Sequence, residues 1–526
     1  MTHYLHPNIV STNIYSESAP TTRKKTRSLV NTALVAVSAG TLVGTILSWL
    51  VLGTFSASLA CGVSIGLACF PLAMCRRDRS PVAPVYLTTL FLLLAYPFKL
   101  LAVRLLVIGV NEQFEGRLFD NEAVAVALWM LVAGLTAYYV GYYWTPRVLL
   151  RFVSRGRFPL STAIDSHWYR RALVVCLVGW ASFAFQVLGG TWSWFAGLGE
   201  NWDPRFNQVL AYLFNYVWYG LIAAAIWLSY RNLKRGFTGI MVCVTVILAT
   251  VTVVTFLMGS KTWLLAPVLY AFLAIYMNDR RPPIWLVIPS GVVAVLFAFT
   301  FVPMFRSNYA ESNTGRAGNV ADFYQTGNQT LGQLDQSSLD TSEAAANVFN
   351  RFAGIDNAVR VMEVVPQQFD YFYFEDFLSL PLSVVPRVLF PSKPSPKAPT
   401  FYSIEVAGMT TGGSASPFPV AEGYINLGWP GVVLLFWIWG IYQSVLFNGF
   451  YLPRRHNALV QIIFAFLMVQ SVGFGDWTSG IILGLPGQLI TMIPFIFIFR
   501  PLKLSRPGFG FDHARRAKEG LATRPS

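Results

Sequence analysis

The sequence predicts an all-α polytopic membrane protein with about twelve spans and one large polar loop late in the chain. Three observations lead there. Of the 526 residues, 54% are hydrophobic and only 12% are charged, against about 25% charged in a soluble domain. Apolar stretches of about 20 residues, the length that crosses a bilayer as a helix, recur along the chain. The basic residues between those stretches fall almost entirely in alternate loops.

In chain order the expected spans are Leu29–Leu52, Phe55–Met74, Val85–Val110, Ala123–Trp144, Ala172–Leu188, Val209–Tyr230, Phe237–Met258, Trp263–Met277, Ile284–Val302, Gly428–Phe450, Ala458–Phe474 and Ile481–Phe499. Residues 1–28 form a polar head with Arg23, Lys24, Lys25 and Arg27 just before the first span. That cluster reads as a cytoplasmic anchor rather than the start of a cleaved signal. Counting from a cytoplasmic N-terminus, one side receives these residues, Arg76, Arg77 and Arg79, the run from Arg147 to Arg171, Arg231 to Arg235, Arg280 and Arg281, Arg454 and Arg455, and the basic tail 500–526. The short loops on the other side hold only Arg117, Arg205 and Lys261. Positive loops stay inside, so both termini are expected in the cytoplasm and the polar loop outside. The net charge of +14 is therefore a topology signal and gives no reason to expect nucleic acid. Cys61, Cys69, Cys75, Cys176 and Cys243 sit in or beside spans, as buried apolar thiols do, with no disulfide or metal spacing.

Nine spans, residues 29–302, precede the loop at 303–427, and three, 428–499, follow it. From Glu311 to Gln336 the loop is rich in Ser, Thr, Asn, Gln and Gly. That composition reads as mobile, either a lid or a spacer. Asp340-Thr341-Ser342-Glu343 reads as a capping box opening a helix that runs to about Val365 and stops before Pro366. Val348, Phe352, Ile355, Val359 and Met362 give it one apolar stripe, which suits the membrane surface or the side of the bundle. Arg360 has Asp356 four before it and Glu363 three after it, the spacing for pairing along its own helix. Arg351 has no such acid and is the freer ligand. Beyond Tyr371, Phe377 to Val385 read as a short re-entrant or interfacial piece. Pro386-Arg387-Val388-Leu389-Phe390-Pro391-Ser392-Lys393-Pro394 is an extended path that either presents two cations rigidly or is a surface turn with two solvated charges.

Charges near the outer membrane level carry the functional reading. Lys99 and Arg104 lie in the outer half of the third span, Lys261 at the outer end of the seventh and Arg306 at the outer end of the ninth. Arg104 can reach the headgroups; Lys99 is deeper, where a cation costs roughly 2.5 kcal/mol or more. Cations gathered at that level suit a phosphate or pyrophosphate.

Arg351-Phe352, the run from Pro386 to Pro394, and Glu422-Gly423-Tyr424-Ile425-Asn426-Leu427-Gly428-Trp429-Pro430-Gly431 resemble the outer-loop signature of bacterial Wzy-type oligosaccharide repeat-unit polymerases. Gly259-Ser260-Lys261 is similar to their Gly-Ser-Arg element, with Lys in place of Arg. The resemblance implies a GT-C-like glycosyltransferase of the bacterial inner membrane that needs no metal or other cofactor. It joins two undecaprenyl-pyrophosphate-linked glycans at the periplasmic face: a sugar hydroxyl of one attacks the anomeric carbon of the other, and undecaprenyl pyrophosphate leaves. The partners implied are lipid-linked donor and acceptor, membrane lipid and a chain-length regulator.

A pyrophosphate leaving group needs cations at the developing charge. Lys261, Arg306, Arg351 and Arg387 are the first candidates, with Lys99, Arg104 and Lys393 behind them. A carboxylate beside a low-dielectric edge suits the general base. Glu422 is the first candidate, with an arginine partner as its alternative role, and Asp356, Glu405 and Asp476 follow. Two other classes compete. O-antigen ligases are expected to use a loop His, but His3, His6, His167, His456 and His513 all fall in expected cytoplasmic segments. A lipid-linked glycan flippase fits the span count but would show internal repeats, and none is visible.

Overall fold

The computed structural model describes residues 19–74, 82–106, 120–155, 164, 168–188, 204–230, 236–258, 261–278, 305, 308, 325–330, 332, 352–378, 390, 397–408, 417–472 and 485–499. Every regular element among them is helical. The main helices are α1 (Ala19–Leu52), α2 (Phe55–Met74), α3 in three pieces (Pro84–Leu93, a π-helical turn Leu94–Phe98, and Lys99–Leu106), α4 (Asn121–Tyr143), α5 (Arg147–Arg155), α6 (Trp168–Leu188), α7 (Pro204–Ser229), α8 (Phe237–Met258), α9 (Lys261–Met277), α10 (Gly354–Val364), α11 (Phe418–Ser444, continued by a π-helical stretch Val445–Tyr451), α12 (Ala458–Ser471) and α13 (Leu485–Phe499). Among the described residues, six helices are long and apolar enough to cross a membrane: Asn31–Leu52, Phe55–Met74, Pro84–Leu105, Asn121–Tyr143, Tyr212–Ser229 and Phe418–Arg454. The protein is therefore consistent with a multi-pass membrane protein. The expected ninth span, Ile284–Val302, lies outside the described residues.

Helix crossings are made by small residues. Gly40 and Gly44 of α1 face Gly62 and Gly66 of α2, each pair four apart. A Cβ on Gly62 would lie 2.5 Å from the Thr45 nitrogen. Apolar lipid gives no hydrophobic drive between helices, so such close backbone approach supplies van der Waals contact instead. Burial sorts the helices by depth. Only 11% of the apolar window of α1 is buried, against 78% for α7. Helix α12 is buried along nearly its whole length, as a helix apolar on all sides should be.

The bundle has two recognisable ends. At one, Arg104 Nη2 donates to Asn121 Oδ1 at 2.9 Å, joining the end of α3 to the start of α4. At the other, Arg454 donates to the Val153 and Ser154 carbonyls of α5 at 2.9 and 2.8 Å, and to Phe450 O at 3.1 Å. One guanidinium thereby satisfies carbonyls at two helix ends, which no intrahelical bond can reach. Gln461 Nε2 donates to Arg455 O at 2.8 Å and stands 3.4 Å from Asn278 Oδ1, so the end of α9 is at this second end too.

Two expectations about the loop change. Residues 325–330, expected to be mobile, are helical. Thr326 and Thr330 are buried there, and Asn308 Nδ2 donates to Thr330 Oγ1 at 3.0 Å. Composition missed this because Thr and Asn hydrogen-bond equally well inside a fold. Of the two places expected for the loop helix, it takes the one against the bundle. All residues from Gly354 to Val361 are buried, the polar ones included. It also opens at Gly354, since Phe352 and Ala353 are not helical; the capping box at 340–343 lies outside the described residues. Its end is as expected, with Val365 extended at φ −112°, ψ 128° before Pro366.

Candidate active site

Three elements build the site at the end of the bundle marked by Arg104. The first is the π-helical turn of α3. Pro97 has no N–H and its ring crowds the preceding turn, so the helix widens there. The extra residue in the turn changes which way the following side chains face. Tyr96 is wholly buried and Lys99 is 1% exposed. The second is α10, which packs against that turn. A Cβ on Gly354 would lie 2.7 Å from Tyr96 ring carbons and 3.0 Å from the Ala95 carbonyl, so only glycine lets the helix approach so closely. The third is the start of α11, tied to α3 by a hydrogen bond from Val420 N to Tyr96 Oη at 3.3 Å.

These elements bury a group of charged side chains together. Asp356 on α10 lies within electrostatic reach of both Lys99 and Arg360. Arg360 hydrogen-bonds Tyr402, whose own π-helical turn, Tyr402–Val406, packs on α10. Glu422, in the first helical turns of α11, is 0% exposed; Asp356 is 5% and Arg360 8% exposed. Asp356 lies between two cations, Lys99 and Arg360, and opposite charges nearby are what make ions tolerable in a dry interior. Burial pushes the Asp356 carboxyl above its usual range, while Lys99 and Arg360 oppose that shift. Burial likewise pushes the Tyr402 phenol upward, against the pull of Arg360.

Helix α11 is broken inside the site. Leu427 (φ −158°, ψ 24°) and Gly428 (φ 63°, ψ −142°) leave helical space, and the chain doubles back. Gly428 is a position for glycine alone, since its backbone is left-handed in φ. Beyond the break, Gly431 closes onto Gly423; a Cβ on Gly431 would lie 2.1 Å from Gly423 O. The carbonyls freed at the break are met by a strap of the loop. Phe372 N donates to Ile425 O at 3.0 Å and Tyr373 N to Asn426 O at 2.8 Å. Phe374 N donates to Asn426 Oδ1 at 3.1 Å, and Asn426 Nδ2 donates to Glu422 O at 2.8 Å. Glu422 therefore sits on a short, fully braced half-helix.

Of the expected site residues, Lys99 lies within electrostatic reach of Asp356, and Glu422 is buried on α11, which packs against α10. Arg104 is at the same end, and its hydrogen bond runs to Asn121. Lys261 is the first residue of α9. Arg306, Arg351, Arg387 and Lys393 lie outside the described residues, as does Asp476. Glu405 is exposed, so it does not belong to the buried group. Arg360 lies within electrostatic reach of Asp356 four residues before it, as the spacing predicts, and it is buried and engages Tyr402 as well. The sequence reading gave Tyr96 and Tyr402 no role. For Tyr96 a signal existed, a proline inside an apolar span directly after it; for Tyr402 there was none.

Residues 201–449 match a family described as a domain of unknown function, DUF8712. No curated protein matches the chain, and no solved structure does.

Proposed function

We propose that the protein polymerises undecaprenyl-pyrophosphate-linked oligosaccharide repeat units at the periplasmic face of a bacterial inner membrane, as a Wzy-type, GT-C-like glycosyltransferase with about twelve spans. The observation that carries this reading is the buried set Lys99, Asp356 and Arg360, with Glu422 buried on the neighbouring helix, built where the loop folds into one end of an apolar bundle. Ionisable residues in such a place are costly and are retained for function. The chemistry needs a base for the attacking hydroxyl and cations for the leaving pyrophosphate. Glu422 remains the first candidate base. Asp356 becomes its close rival, because burial raises its carboxyl toward the range where a base works. Lys99 and Arg360 supply positive charge that opposes negative charge developing on the leaving group.

The span count has support from the two ends. Val153 and Arg454 meet, and six expected spans separate them, an even number as a shared side requires. Asn278 and Arg455 are also at that end, with two expected spans between. His456 is exposed at this same end, far from the acidic group, which weighs against a histidine-based ligase. A flippase keeps one supporting observation: the broken α11 and the π turn in α3 are discontinuities of the kind that transporters place at a binding site.

Replacing Glu422 by Gln and Asp356 by Asn in the host, then resolving surface polysaccharide on a gel beside a blot for the protein, tests the reading. Polymerisation predicts normal protein with single repeat units only. Loss of all surface glycan, single units included, would favour flipping or ligation. An unchanged ladder from both variants would make the group structural.

A further inference from the structure

The strap that braces the break in α11 also displays aromatic rings. Tyr373 is 64% exposed although its backbone is pinned to Asn426. Its ring meets Tyr371 at 6.3 Å between centroids with planes 78° apart, and Tyr371 meets Tyr424 at 6.0 Å and 74°. The Tyr424 and Tyr371 hydroxyls are hydrogen-bonded to each other. The three phenols thus form an edge-to-face notch, partly open to solvent. It is one hydrogen-bonded residue, Asn426, away from Glu422.

The backbone makes this more than a ring at the membrane surface. Tyr373 and Phe374 have φ of 49° and 58°, a left-handed conformation that bulky residues avoid. Two such residues in succession persist only where the surroundings hold them, and strain of this kind gathers at ligand-binding sites. An interfacial belt of tyrosines needs rings at headgroup depth and nothing special of the backbone.

We propose that this notch is a glycan subsite: a pyranose ring of the lipid-linked chain stacks its C–H face on Tyr373, beside the Tyr371 and Tyr424 phenols. The chemistry is complementary. The face of an aromatic ring is electron-rich, the C–H bonds on one face of a sugar ring are weakly positive, and sugar hydroxyls at the ring edge find phenol partners. The subsite holds the sugar over the half-helix that carries Glu422, and in this it rests on the polymerase reading.

Saturation-transfer NMR on the full-length protein in nanodiscs tests it, with the lipid-free oligosaccharide repeat unit released from the host's own surface polysaccharide as probe. Wild type should transfer saturation to the C–H protons on one face of one sugar ring. Tyr373→Ala should bind roughly tenfold more weakly, the scale of one lost aromatic contact. Tyr373→Trp should restore binding, and Glu422→Gln should leave it intact. Equal transfer in wild type and Tyr373→Ala would overturn the subsite. So would transfer only to phospholipid headgroups, which would make the rings a lipid belt. Absence of transfer in a protein whose host still makes polymer through Glu422 would remove the subsite and leave the polymerase reading standing. A host that makes polymer with Glu422→Gln would remove that reading by itself, whatever the NMR shows.

Discussion

Two groups of buried polar side chains among the described residues differ in kind. The one between α3, α4, α11 and α12 is neutral. Gln443 Nε2 donates to Thr88 Oγ1 and Ser471 O, both at 2.9 Å, while its Oε1 accepts from the Tyr138 hydroxyl. Trp439 Nε1 donates to the same Ser471 carbonyl at 2.7 Å. These amide and hydroxyl groups satisfy one another and lie along helices that only need to be held together. The other, Lys99, Asp356 and Arg360 with Glu422 buried on the helix packed beside them, is ionic, sits at one end, and depends on a loop helix folding inward. Neutral networks join helices at low cost, whereas a charged group costs far more to bury and is retained for its chemistry. The first is read here as structure and the second as function.

The largest expected effect lies in the ionic group. Glu422→Gln should lower polymer yield by roughly a hundredfold or more at normal protein level, the scale of a lost general base. A gel of surface polysaccharide reads it. Gln443→Leu is the matching change in the neutral group, and polymer made per folded molecule should not fall. If both variants silence the protein equally, the distinction between the groups fails.

The break in α11 links the two groups, because Gln443 and Glu422 lie on either side of it. Gly431→Val should cost about 1–3 kcal/mol through overpacking against Gly423, seen as a lower melting temperature in detergent. A variant as stable as wild type would mean that the two halves do not close as described. For Gln443→Leu the expected loss is about 1–2 kcal/mol, the range for interhelical hydrogen bonds in membranes. A thermal-shift series with Thr88→Val should show that the two losses are less than additive, since they share one network.

The smallest effect is a pH dependence confined to the ionic group. Because burial raises the Asp356 carboxyl above its ordinary value of about 3.9, the folded protein keeps a proton that the unfolded chain releases. The stability from this source is present below that value and is lost as pH rises through the raised one. Wild type should therefore lose melting temperature relative to Asp356→Asn as pH rises above about 4. Parallel curves for the two proteins would show that Asp356 is held ionised by Lys99 and Arg360.

Much of the architecture could be read from local pattern. Phe55–Met74 and Phe237–Met258 were expected at the bounds observed, because a helix that must satisfy its own backbone in lipid is specified by its own apolar run. Lys99 stood out for the same reason, as a cation where an apolar residue belongs. Glu422 was found through a resemblance rather than through physics. What the sequence could not give was partnership. That Asp356 faces Lys99, 257 positions away in the chain, depends on α10 lying inside the bundle, and an apolar stripe does not say whether a helix covers a surface or enters it. The same holds for Tyr96 against Gly354, for Arg454 on the carbonyls of α5, and for the strap on the break in α11. Helix identity is local, since its hydrogen bonds close within four residues. Charge pairing, capping across loops and the facing of a tyrosine notch are set by which helices pack together, and only the tertiary structure decided those.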